Sequence, residues 1–193
     1  MGTTVYPHRE RQRVLLTGLL PDISTDPAIE TATDSVEAGR SGTIVAPVGI
    51  RPPLLAAVAT RAATPLVVLT ATGRDAETLT NALASWIPGV AMLPAWETLP
   101  HERLSPQVDT MARRIAVLRR LVHPVAGDES AGPISVLVVP IRAFLQPIIS
   151  GLADLEPVRV RTGDILDLTD VTNRLAELGY ERVDMVEGRG QMS

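Results

Sequence analysis

The apolar positions of this chain follow two alternating rhythms. Thr43–Pro47 (TIVAP), Pro65–Thr70 (PLVVLT), Val90–Leu93 and Ser135–Val139 (SVLVV) are compact runs rich in β-branched residues, the pattern of strands buried on both faces. Between them apolar residues recur at helical spacing. Pro52 to Ala63 reads as one helix and Asp75 to Trp86 as another, the latter with Ala76, Leu79, Leu83 and Trp86 on one face. Val108, Met111, Ile115, Leu118 and Val122 are separated by three or four residues and predict a helix opened by Ser105-Pro106, with that stripe buried and Pro124 stopping it. Val125 to Pro133 is a solvated linker, and Ile141 to Gln146 is a short helix ended by Pro147.

Strands alternating with helices imply parallel βαβ units joined by right-handed crossovers, hence an α/β sheet with helices on both faces over residues 43–152. Ahead of it, residues 1–42 read as a weakly ordered lead-in. It holds one helix, started by Asp26-Pro27, running to about Ala38 and ended by Gly39 and Gly42. Behind it the pattern changes. Val158 to Arg161 alternates apolar and charged residues, Leu168 to Leu178 is a helix capped by Asp167 or Thr169 and ended by Gly179, and Tyr180 to Val186 alternates again. Residues 153–193 are therefore expected to form the start of a small α+β unit. A sheet seldom stops at its second strand, so that unit is expected to be incomplete.

Composition narrows the chemistry. With 45% hydrophobic and 21% charged residues the chain belongs to the globular class, and a 3% aromatic share leaves its core to Val, Leu, Ile and Ala. A net charge of −4 argues against a general polyanion binder and confines any nucleic-acid role to a local patch. There is no cysteine, which removes disulfides, thiol nucleophiles and cysteine metal sites; His8, His101 and His123 are too scattered for a zinc site. All 18 basic residues are arginine, so Schiff-base chemistry and the phosphate-binding lysine of a nucleotide loop are absent. No apolar run is long enough to span a membrane and the first residues lack signal-peptide order, so a cytoplasmic location is expected.

The turn Ala46 to Pro53 sits where an α/β nucleoside triphosphatase carries its phosphate loop. Its chemistry does not suit phosphate binding, because Gly49 is its one glycine, Arg51 is bulky, and Pro47, Pro52 and Pro53 carry no amide donor. Thr72 to Asp75 reads as a turn glycine followed by a helix cap. Glu97, His101 and Glu102 gather acid and imidazole groups without an accompanying nucleophile, so loop packing explains them better than catalysis. Trp96 reads as the buried anchor of that loop. Arg113, Arg114, Arg119 and Arg120 are assigned to the polar side of the 106–122 helix, a solvated face that Arg113, Arg114 and Arg120 could offer to DNA or an acidic protein. Two functions thus stay open, an α/β nucleotide-binding helicase fragment using the 46–53 turn and a nucleic-acid-binding scaffold using the Arg113–Arg120 face.

WETLPHERLSP (96–106), the D-T-x-x-x-R-I-x-x-L-R-R-L helix after it, VLVVPIRAFLQP (136–147) and GYERVDMVEGRGQ (179–191) together resemble the N-terminal, UvrB-homologous region of bacterial transcription-repair coupling factors. The blocks stand in that family's order over most of residues 43–193. The resemblance implies a UvrB-like domain 1a at 43–152 with a degenerate phosphate loop at Pro47, Gly49 and Arg51, and the beginning of a UvrA-binding domain 2 at 153–193. It implies no catalysis and no cofactor in this segment, since ATP and Mg belong to a motor elsewhere in such proteins. Implied partners are UvrA, with Tyr180, Arg182 and Arg189 as candidate contacts, and the protein's own C-terminal domain. RNA polymerase and duplex DNA would be engaged by other parts.

Overall fold

The computed structural model describes residues 15–97, 107–128, 130–158, 160, 163–187 and 190–193. Its centre is a sheet of three parallel strands, β1 (Leu66–Thr70), β2 (Val90–Met92) and β3 (Val136–Pro140), in the order β1-β3-β2. Thr70 stands opposite Pro140 at one end, and Val90 and Leu66 both face Val136 at the other. β3 lies between the other two and is buried at all five positions, which is why its sequence is an unbroken apolar run.

Alternate residues of β3 feed the two faces. Val136 and Val138 join Ala56 and Ala59 of α3 (Arg51–Arg61) and Ala76 and Leu83 of α4 (Gly73–Leu83) in one core cluster. Leu137 and Val139 join Ala91, Leu93, Val117 of α5 (Val108–Val122) and Ala143 of α6 (Ile141–Phe144) in the other. The expected layering, helices on both faces of a parallel sheet, is therefore present. Gly89 shapes the turn into β2. Its φ is 74°, and a Cβ there would lie 2.8 Å from the Ser135 hydroxyl oxygen and 2.9 Å from the Pro133 carbonyl oxygen, so glycine alone fits.

The lead-in is built more firmly than its sequence suggests. Besides α2 (Pro27–Glu37), capped by the Asp26 carboxylate as expected, it contains α1 (Leu20–Ser24). Leu20 enters the first core cluster, and Ile29 and Ala32 pack with Leu54 and Ala57 of α3. Arg61 then ties α3 to α2 through Asp34 at 2.9 Å and Glu37 at 2.7 Å. Residues 1–14 lie outside the described residues.

Two sequence expectations are corrected. Thr43–Pro47 is not a strand: Val45 is 97% exposed, and among the described residues no backbone hydrogen bond joins the segment to β1. A β-branched run becomes a strand only where a neighbouring ladder takes its N–H and C=O groups, and here none does. Tyr180–Val186 contracts to β4 (Glu181–Arg182), paired in parallel with β5 (Gln191–Met192). Val158 and Val160 are outside any strand; Arg159 and Arg161 lie outside the described residues. The helix between them, α7 (Leu168–Glu177), forms with the Asp167 cap, its carboxylate accepting from the amides of Thr169 and Asp170. Among the described residues none beyond Ala143 is buried.

Candidate functional site

At the 46–53 turn, expected to stand where a phosphate loop follows a strand, no strand precedes among the described residues: Pro47 leads into a 3-10 turn over Val48–Ile50 and α3 starts at Arg51, with Pro52 and Pro53 in its first turn. Ile50 N–H donates to the Pro47 carbonyl at 3.0 Å, and Arg51 N–H to that of Val48. The amides of residues 50 and 51 are therefore spent inside the turn, while the two prolines have none to offer. A second helix start is also self-satisfied: the Thr72 hydroxyl oxygen accepts from Asp75 N–H at 3.1 Å and donates to the Asp75 carboxylate at 2.8 Å, placing a carboxylate at the positive end of α4.

The segment after β2 is held from three sides. Trp96 N–H donates to Gln146 Oε1 at 2.8 Å, and Gln146 Nε2 donates back to the Trp96 carbonyl at 3.3 Å. Arg142 donates to the Glu97 carbonyl at 3.1 Å, and the Thr110 hydroxyl donates to the Glu97 carboxylate. That hydroxyl, with the backbone amides of Glu97 and Gln107 and the nearby Arg113, holds the Glu97 carboxyl below its ordinary range. Arg114 completes the arrangement. Its guanidinium carbon lies 4.5 Å from the centroid of the Trp96 ring, and Nη1 donates to the Pro94 carbonyl at 2.6 Å. Trp96, expected to be buried, is half-buried and is held through its amide, its carbonyl and its ring. His101 and Glu102 lie outside the described residues, so Glu97 is the one member of that cluster whose surroundings are given.

This changes the reading of the arginine helix. Arg114 is 1% exposed, buried with Thr110, Val117 and Leu118, whereas Val108, Met111 and Val122 of the expected stripe stand 45%, 38% and 57% exposed. The buried face is rotated because a long arginine stem packs as an apolar chain while its head finds a carbonyl and an aromatic ring. Burial pushes the Arg114 guanidinium below its ordinary value, and its Nε has no hydrogen-bond partner among the described residues. Arg120 also turns inward, donating to the Gly132 carbonyl at 2.8 Å and the Pro133 carbonyl at 3.5 Å. Arg119 reaches the Leu155 carbonyl at 3.1 Å and Glu156 at 3.4 Å. Arg113 stays in solvent, 62% exposed, on an i,i+4 pair with Asp109. The expected solvated face of four arginines is therefore one exposed residue and three that bind the protein itself.

Tyr180 and Arg182 are exposed on the carboxyl-terminal unit, the former 41%; Arg189 lies outside the described residues. The structure also brings together a pair that the sequence does not announce, His123 Nε2 and Asp154 Oδ1 at 2.7 Å. These residues lie 31 positions apart, and only their neighbourhood in space links them. No helix among the described residues is long and apolar enough to cross a membrane.

Fold and site together define a class: a parallel-sheet α/β module whose arginine helix serves packing. No family model matches the chain. It is similar to the transcription-repair-coupling factors of Mycobacterium bovis and Mycobacterium tuberculosis, 46% identical over 153 residues, 78% of this chain and 12% of theirs. The Escherichia coli factor is 26% identical over 140 residues, 72% of this chain and 12% of its own length. Over these residues the chain is a homologue of a segment of the transcription-repair-coupling factors, and it spans about an eighth of the length of these curated relatives.

Proposed function

We propose that this chain is the N-terminal, non-catalytic recruitment segment of a transcription-repair coupling factor, a UvrB-like domain 1a followed by the start of domain 2. The observation that carries this reading is the 46% identity over 153 residues to two such factors. In this reading the sheet is a scaffold that holds no nucleotide. The amide-poor turn at Pro47 to Pro53 supports that, as does the absence of lysine from the chain. ATP and Mg belong to the motor of the longer protein, which also engages duplex DNA and RNA polymerase. The working surface is residues 157–193, where Tyr180 and Arg182 are exposed and Arg189 follows in sequence. UvrA is its partner, and the protein's own C-terminal domain covers the same surface at rest.

Capture of purified UvrA on the immobilised chain tests the recruitment half, with retention expected for the wild type and lost in Tyr180→Ala/Arg182→Ala. No retention by the wild type would remove it. Titration with labelled ATP and magnesium tests the other half. A dissociation constant below about 100 μM, roughly 5.5 kcal/mol, would contradict a scaffold without nucleotide.

A further inference from the structure

We propose that Arg119 and His123, one turn apart at the end of α5, form a clasp that holds residues 152–158 on that helix and so fixes where the carboxyl-terminal unit stands. The chain leaves its core at Ala143, and Gly151, at φ 81°, turns it into a 3-10 turn over Leu152–Asp154. That turn runs against α5. Apolar burial holds it only in part: Leu152, Ala153 and Val158 are half-buried, but Leu155 is 43% exposed, and an open groove of about 500 Å³ separates Pro157, Val158 and Val160 from Ala116, Arg119 and His123.

What joins the two is charge and hydrogen bonding. His123 Nε2 lies 2.7 Å from Asp154, and Arg119 donates to the Leu155 carbonyl at 3.1 Å and to Glu156 at 3.4 Å. Arg119 lies in the last turn of the helix, where the dipole favours a cation, and His123, which carries charge only when protonated, caps that end; both acids are on the strap. Among the described residues, the other charged groups at the groove are engaged locally. Arg120 is bound to the Gly132 and Pro133 carbonyls, and Asp128 accepts from the amides of Ser130 and Ala131. Arg119 has become the more committed half, 17% exposed against 71% for Glu156. A clasp of one half-buried arginine contact and one exposed His123–Asp154 pair, with little core beneath it, opens at a modest free-energy cost and weakens with salt.

The clasp gives the recruitment reading a way to orient its surface and rests on that reading for its significance. Its test involves no partner, so the two fail separately. In the full chain, Arg119→Gln/His123→Gln is expected to speed amide exchange of residues 152–158 roughly three- to tenfold, the scale of losing exposed pairs. Exchange of Val136–Pro140 should stay unchanged, reporting an intact sheet. The chain has no cysteine, so spin labels at Glu77→Cys in α4 and Asn173→Cys in α7 report the distance between the units cleanly. A narrow distance distribution that broadens in the double variant, and in wild type at 1 M salt, about 3 Å Debye length, supports the clasp. Unchanged exchange at 152–158, or a distribution already as broad in the wild type at low salt, overturns it.

Discussion

Arg114 shows how one side chain serves two elements. Its stem fills the interface between α5 and the segment after β2, and its head binds the Pro94 carbonyl and the Trp96 ring. Removing it leaves a cavity and an unsupported Trp96, so Arg114→Ala is expected to lower stability by about 2–4 kcal/mol in denaturant unfolding. Arg114→Met, which keeps the volume and removes a buried charge whose Nε is unpaired, should cost less than half as much. Equal losses would mean that charge, not packing, holds the loop. Glu97 gives a pH signature at the same place. Its carboxyl is held below its ordinary range, chiefly by the Thr110 hydroxyl, so its stabilising contribution is present above the unfolded carboxylate value, about 4.3, and disappears as pH falls through the lower folded value. Melting temperatures from pH 7 to pH 3 should therefore fall more steeply for the wild type than for Glu97→Gln. Parallel curves would contradict the assignment.

Among elements, the strands and their order depend on close approach at the sheet ends. Gly89→Ala combines a positive φ with a Cβ less than 3 Å from Ser135 and Pro133 atoms, so a loss of at least about 1 kcal/mol is expected in thermal unfolding, and a neutral result would refute the tight approach of β2 to β3. β1, β2, β3 and the capped helices α2 and α7 were legible because their signals are local: a continuous apolar run, or an Asp placed to accept two helix amides. Thr43–Pro47 carries the same apolar signal and fails because strand formation needs a partner that a local pattern cannot supply. The stripe on α5 failed for a different reason. Apolar spacing pointed to Val108 and Val122, but the loop that covers the helix offers a carbonyl and an indole ring, and Arg114 exploits both. Likewise, the prolines that remove amides from the 46–53 turn are legible in the sequence, whereas the Arg119 and His123 contacts depend on acids more than 30 residues away.

At the scale of the whole molecule, the buried core and the proposed recruitment surface lie at different ends. The buried residues run from Leu20 to Ala143, and among the described residues α7, β4 and β5 contribute none. Local opening should therefore be easier in the carboxyl-terminal unit. Amides of α7 are expected to exchange at least about tenfold faster than those of β3, about 1.4 kcal/mol in opening free energy, and equal protection would contradict this division. A lightly packed unit beside a rigid sheet suits a surface that must meet a partner. The most direct test of that claim is an equilibrium titration of UvrA against the wild-type chain and Tyr180→Ala/Arg182→Ala, with matching melting curves for the two. Saturable binding by the wild type and at least about tenfold weaker binding by the variant, about 1.4 kcal/mol, is the predicted result; no binding by the wild type, or equal affinity for both, would contradict it.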